Sequence, residues 1–179
     1  LCRYASEIIC RRAEFIQMLA PLAAEKHAFL SDGAEELRVT SEKKYPQDKE
    51  EIAKTLLQEF SDNYERDVRL GFTGTGPHRD DLKLTIGGSE VRVYGSQGQA
   101  RTAALALKLA EVDIFRSVAG EPPVLILDDV MSELDLSRRR KLLSQIEDVQ
   151  TILTCTHTEK VLFGKTVNKI RIVAGKIKR

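Results

Sequence analysis

V-L-I-L-D-D-V-M-S-E-L-D, residues 124–135, joins four aliphatic side chains to two adjacent aspartates. An apolar run of this length suits a strand buried on both faces of a parallel sheet. Ligands of open α/β sheets bind in the crevice beyond the carboxyl ends of the strands. Asp128 and Asp129 stand at that end. Paired carboxylates there point to a hydrated magnesium ion and a phosphate, and the rest of the chain is read for what grips the phosphate.

The elements around this strand alternate. A long Ala- and Leu-rich helix is expected over residues 99–117, and a charged helix follows the strand over 136–148. T-I-L-T-C at 151–155 and residues 168–173 read as further strands. Strands alternating with helices predict parallel pairing in this part of the chain. Upstream, L-K-L-T-I-G-G-S-E-V-R-V-Y (82–94) alternates on both sides of Gly87-Gly88, the pattern of a tight β-hairpin. Residues 3–30 and 47–66 carry apolar side chains at three-to-four spacing and predict two helices, with a short strand at Leu37–Val39 between them. Pro21 is expected to kink or break the first helix. Composition shifts near residue 70, where G-F-T-G-T-G-P-H-R-D-D gathers turn formers.

Bulk properties narrow the class. The 179 residues suffice for one domain, or one domain and a smaller lobe, and a hydrophobic content of 42% supports a core. The 28 Lys and Arg nearly balance 27 Asp and Glu, so no global basic field points at nucleic acid and any such contact is local. Cys2, Cys10 and Cys155 are odd in number and widely spaced, which argues against a disulfide framework or a zinc site. No stretch resembles a membrane span or a signal peptide, so a cytoplasmic protein is expected.

A second stretch bears on the phosphate. Y-G-S-Q-G-Q-A-R-T-A-A-L-A-L-K-L-A-E (94–111) sets Ser96, Gln97, Gly98 and Gln99 just before or at a helix start. A helix start offers unpaired N–H groups and a positive dipole end, which suit an anion. The same residues also read as a serine cap with a turn glycine.

Together, S-Q-G-Q opening a helix, an aliphatic strand ending in Asp-Asp, then S-E-L-D and Thr156-His157, in that order, resemble ABC-type ATPases. Ser96–Gln99 resemble the signature motif, Val124–Asp129 Walker B, Ser132–Asp135 the D-loop, and His157 the switch histidine. With G-P-H-R-D-D-L (76–82) added, residues from about 70 to 160 resemble the RecF family of SMC-like ATPases. The resemblance implies an α/β fold, the carboxyl-terminal half of an ABC-type P-loop NTPase head, with part of a helical second lobe. It implies domains at 1–68 (helical lobe) and 69–179 (head half). It also implies ATP and Mg²⁺ as cofactors, an ATP-dependent homodimer, and binding to single-stranded and gapped DNA. RecO, RecR and RecA are the implied partners.

Site roles come with the resemblance. Asp128 holds Mg²⁺, and Asp129 orients or deprotonates the attacking water. Most ABC ATPases carry glutamate at the second position, and the shorter aspartate implies slow hydrolysis. Ser96 and Gly98, with Gln97 and Gln99, contact ATP held by the other subunit. Asp135 acts across the dimer interface, and His157 reaches the γ-phosphate. Each has a plainer reading: Asp129 and Asp135 as helix caps, His157 as a loop histidine. A buried ion pair is the expected role of Arg79 within His78–Asp81. Arg138–Lys141 and the basic stretch of Lys176, Lys178 and Arg179 read either as phosphate contacts or as solvated faces.

A phosphate loop, G-x-x-x-x-G-K-[ST], is absent from the sequence. Gly164-Lys165-Thr166 supplies its last letters, but Glu159 stands at the first glycine and the tripeptide lies after Walker B. The chain therefore reads as a carboxyl-terminal portion, cut within the second lobe, and as inactive alone. Another SMC-like or ABC ATPase half, a non-catalytic dimerisation module and a magnesium-dependent phosphatase are the competing readings.

Overall fold

The computed structural model describes residues 1–156 and 167–178. The chain forms two compact units, 1–123 and 124–179. The expected boundary after residue 68 falls inside the first unit, for two reasons of packing. Strand β1 (Leu37–Ser41) pairs antiparallel with β2 (Leu82–Ile86), and helix α1 (Cys2–Leu30) packs against α5 (Gln97–Ala119).

In the first unit, α1 buries Ala5 and Ile9 near its start and Leu19, Ala23, His27 and Leu30 further on, each group at three-to-four spacing. Its amino-terminal part meets α2 (Lys49–Asp62) in a cluster of Ala5, Ile9, Ile52 and Leu56, edged by Cys2, Cys10, Tyr45 and Phe60. α5 buries Ala103, Ala106 and Ala110 completely, as α1 does Ala23. Small side chains let the two helices approach closely, and Lys26 of α1 pairs with Asp113 of α5 at 2.7 Å. α1 runs through Pro21 as one helix, so the expected break does not occur. Pro21 is exposed. The predicted helix 47–66 is instead α2 followed by α3 (Tyr64–Leu70), ended by Gly71 in the left-handed region.

The hairpin turn stands where expected. Gly87 and Gly88 take φ of 56° and 84°, the two left-handed positions of a type I′ turn that only glycine adopts without strain. Its second strand is shorter than predicted: β3 is only Ser89–Glu90, and Val91–Tyr94 wind into a helical turn, α4.

In the second unit, β4 (Leu125–Leu127) and β5 (Thr151–Leu153) pair in parallel, as the alternation of elements required. A 3₁₀ turn (Val130–Glu133) and α6 (Leu136–Gln145) connect them. β4 is buried on one face only. Leu125 and Leu127 are buried, whereas Ile126 is 67% exposed beside its register partner Ile152 at 53%. Residues of this chain cover one side of the two-stranded sheet, so the two-faced burial expected of the strand is not met within it. The last predicted strand is β6 (Arg171–Val173), which turns back antiparallel into β7 (Lys176–Lys178). The three cysteines are free, and no helix among the described residues is long and apolar enough to cross a membrane.

Candidate functional site

The acid pair is built at the end of β4. Parallel pairing sets Leu127 opposite Leu153, and the Thr154 N–H donates to the Leu127 carbonyl at 3.0 Å. That bond carries the ladder one residue further and places the Thr154 side chain against the two aspartates. Its hydroxyl donates to Asp128 Oδ1 and accepts from the Asp129 N–H at 2.9 Å. One threonine thus fixes both residues. Asp129 has φ 49°, in the left-handed region where aspartate and asparagine are enriched among non-glycine residues. The Ser132 N–H and hydroxyl both donate to the Asp129 carbonyl, at 3.2 Å and 2.9 Å, turning the chain sharply out of the strand. Both carboxylates remain exposed.

Asp135 caps α6. Its Oδ1 accepts from the Arg138 N–H at 2.9 Å, and the Arg138 guanidinium lies 3.2 Å from Oδ2. The Arg138 backbone N–H holds the Asp135 carboxyl below the usual range; burial opposes it, and the Arg138 charge and further backbone N–H groups add to the lowering. Capping is therefore realised, and an exposed carboxylate remains.

The S-Q-G-Q stretch opens α5 in the first unit. Ser96 and Gln99 form a reciprocal capping box: the Gln99 N–H donates to Ser96 Oγ at 3.2 Å, and the Ser96 N–H to Gln99 Oε1 at 2.8 Å. Gln99 Nε2 also donates to Glu35 at 2.7 Å. Gln99 is engaged at both ends and anchors the helix start, while Ser96 and Gln97 stay exposed. Gly98 accepts from the Thr102 hydroxyl at 2.7 Å through its carbonyl. His157 lies outside the described residues, as do Gly164-Lys165-Thr166 and Arg179.

G-P-H-R-D-D-L holds an ion pair, but not through Arg79. Arg79 is exposed and lies over the Phe72 ring, 4.9 Å from its centroid. The shielded acid is Asp80, whose side chain is 6% exposed. It accepts from the Tyr45 hydroxyl at 2.9 Å and lies 3.7 Å from Arg12 of α1, whose other guanidinium nitrogen donates to the Pro77 carbonyl at 2.9 Å. Burial, and then the neighbouring Asp80 carboxylate, push the Tyr45 hydroxyl pKa upward. This cluster forms one end of an open cavity of about 690 Å³ between α1 and the segment 40–47.

Sequence reasoning missed Thr154 and the Arg12–Tyr45–Asp80 cluster. T-I-L-T-C did carry a signal for the first: a threonine one residue past a strand parallel to the acid-bearing one.

A parallel strand pair with two carboxylates at its carboxyl end, leading into a capped D-loop-like turn, together with a capped S-Q-G-Q helix start, defines part of an α/β ABC-type ATPase head. No protein-family model matches the chain. It is 39% identical over 183 aligned positions to the DNA replication and repair protein RecF of Ruminiclostridium cellulolyticum, covering 99% of this chain and 49% of that protein. It is 42% identical to RecF of Clostridium tetani, covering 90% and 45%, and 43% identical to RecF of Nostoc punctiforme, covering 88% and 43%. Among solved structures it is similar to the recombination mediator protein RecF-ATPrS of the RecFOR pathway, with TM-score 0.81 and 34% identity over 99% of this chain and 47% of that one. The RecF-ATP structure of the same pathway gives TM-score 0.74 and 35% identity, covering 89% and 43%. The chain is homologous to RecF proteins, matching their carboxyl-terminal portion, and spans about half the length of the relatives it matches.

Proposed function

We propose that the chain supplies the carboxyl-terminal part of a RecF-type DNA replication and recombinational repair protein, an ATPase that dimerises on DNA around ATP. The observation that carries this reading is the Thr154 tie, which presents Asp128 and Asp129 together at the end of a parallel strand. No group of three or more potential ligands gathers among the described residues. Two exposed carboxylates instead fit Mg²⁺, which keeps several waters and takes the rest of its shell from phosphates. Asp128 holds that ion, which neutralises charge on the phosphates when bound. Asp129 orients the attacking water and accepts its proton. Ser96, Gln97 and Gly98 offer a hydroxyl and a helix start to the γ-phosphate of ATP on a second subunit, and Asp135 faces that subunit. Within this reading residues 1–68 are the helical lobe and 69–179 the head half, and the first packs into a common unit with residues up to 123.

The phosphate loop must come from another segment, so the chain alone is not an ATPase. RecO and RecR are partners by extension from the RecFOR pathway of the solved relatives. RecA loading, preference for single-stranded and gapped DNA, and a cytoplasmic location extend the same reading.

The test uses this chain joined to the amino-terminal half of a RecF relative. Mg-ATP is expected to drive dimerisation, read by light scattering, and Ser96→Asp to abolish it. Aspartate keeps the helix cap but sets a carboxylate against the γ-phosphate. ATP-driven dimerisation that survives Ser96→Asp contradicts the trans role.

A further inference from the structure

The connection between α1 and β1 carries a carboxylate to the start of α5. α1 closes with the Gly33 N–H donating to the Ala28 carbonyl at 2.8 Å, and β1 opens with Leu37 opposite Ile86 of β2. The Gly87 N–H of the hairpin turn donates to the Glu36 carbonyl at 3.2 Å. The backbone is thus tied down on both sides of Glu35. Glu35 is half-buried, and its Oε1 accepts from Gln99 Nε2 at 2.7 Å, 64 positions away in sequence.

The chemistry of that contact is directional. An ionised carboxylate only accepts hydrogen bonds, so Glu35 takes the NH₂ end of the Gln99 amide and never its oxygen. The amide oxygen is thereby turned toward Ser96, whose N–H it accepts at 2.8 Å. In return the Gln99 N–H donates to Ser96 Oγ at 3.2 Å. A hydroxyl that accepts through its oxygen keeps one hydrogen to donate. A capping box closes with either glutamate or glutamine at its third helical position. Only glutamine has two unlike ends, so only glutamine needs a neighbour that chooses between them. Glu35 makes that choice, and Gln99 in turn fixes the Ser96 hydroxyl as a donor at the helix start.

We infer that Glu35 is a positioning residue for the ATP-dependent contact made by Ser96. The inference rests on the reading proposed above, in which Ser96 meets the γ-phosphate of ATP on a second subunit. Glu35 acts there through Gln99 and touches no ligand itself. Positioning and charge make opposite predictions. A carboxylate near a phosphate is repulsive, so by charge alone its removal would tighten the ATP-bound dimer. By positioning, its removal frees the Gln99 amide to turn, loosens Ser96 and weakens the dimer.

The test uses the chain joined to the amino-terminal half of a RecF relative, unaltered and as Glu35→Gln, Glu35→Ala and Glu35→Lys. Two quantities are read: the affinity of a protomer too dilute to dimerise for Mg-ATP, and the dimer dissociation constant at saturating Mg-ATP. Glu35→Ala is expected to raise the dimer constant by about tenfold, the worth of one hydrogen bond to a charged group. Glu35→Lys is expected to raise it further, because a donor at that place attracts the Gln99 oxygen and turns the NH₂ end against the Ser96 N–H. Glu35→Gln still offers an oxygen to Nε2 and is expected to stay near the unaltered protein. Mg-ATP affinity of the protomer is expected to be equal in all four. An unchanged or tighter dimer in Glu35→Ala and Glu35→Lys overturns the inference. So does a loss in Glu35→Gln as large as in Glu35→Ala, which marks charge at the helix start as the cause, or a parallel loss of protomer affinity, which marks a general structural role. If Ser96→Asp abolishes the dimer while the Glu35 variants leave it intact, the trans role of Ser96 stands and only the role of Glu35 falls. If Ser96→Asp also leaves it intact, the underlying reading falls as well.

Discussion

Thr154, one residue past β5, donates its hydroxyl hydrogen to Asp128 at the end of β4, although 26 positions separate them in sequence. The bond exists because β4 and β5 run parallel in a register that brings their carboxyl ends level. Through the same oxygen Thr154 accepts from the Asp129 N–H, so the strand pairing itself sets the geometry of both acids. If the two acids position a metal-bound phosphate as proposed, such a supporting group would govern activity without touching the reacting atoms.

Thr154→Val keeps the shape and removes both bonds. The chain is expected to lose about 1 kcal/mol of stability, the usual net worth of an intramolecular hydrogen bond or two. In the polypeptide completed with a RecF amino-terminal half, ATP turnover is expected to fall by about 10–100-fold, the typical cost of removing a group that orients a metal ligand. Thr154→Ser should restore most of it. Unchanged turnover in Thr154→Val would show that the tie plays no part in the site.

The G-P-H-R-D-D-L stretch makes opposite predictions for two neighbours. Asp80→Ala strips the partner from the Tyr45 hydroxyl and from Arg12, and is expected to cost about 2–3 kcal/mol in chemical unfolding. Arg79→Ala loses an exposed cation–π contact and is expected to cost at most about 0.5–1 kcal/mol. A larger loss from Arg79 than from Asp80 would reverse the assignment of the ion pair made from the structure.

Much of the layout is set by local patterning. Alternation about Gly87-Gly88 marks the hairpin turn, S-Q-G-Q marks the start of α5, and the aliphatic run before Asp128 marks a parallel strand. Each signal lies within a few residues of what it specifies. Contacts that close over distance carry no such mark. Arg12 meets Asp80, α1 packs along α5, and β1 pairs with β2, so residues 1–68 do not stand apart from residues 69–123. Pro21 announces a break that the surrounding helix overrides. The acid pair is readable as residues; its Thr154 clamp is not, because a threonine after a strand has many uses until the strand's neighbour is known.

Acid should loosen α6 through its cap. The Asp135 carboxyl is held below its ordinary value of 3.8, chiefly by the Arg138 N–H. A group depressed in the folded chain contributes stability above its unfolded pKa and loses it as pH falls through the folded one. The contribution of Asp135 is therefore expected to be constant above about pH 5 and to fade below about pH 4. Asp135→Asn caps the helix without titrating, so its stability profile across that range is expected to be flatter. Parallel profiles for the two proteins would remove Asp135 from the acid response.

Isothermal titration of Mg-ATP into the chain, alone and then with the amino-terminal half of a RecF relative supplied in trans, tests the central claim most directly. Asp128 and Asp129 without a phosphate loop offer the triphosphate no N–H cradle and no lysine. No measurable heat of binding is expected from the chain alone, and saturable binding is expected once the second segment is present. Tight binding of Mg-ATP by the chain alone would contradict the account, because the phosphate grip would then lie within these 179 residues.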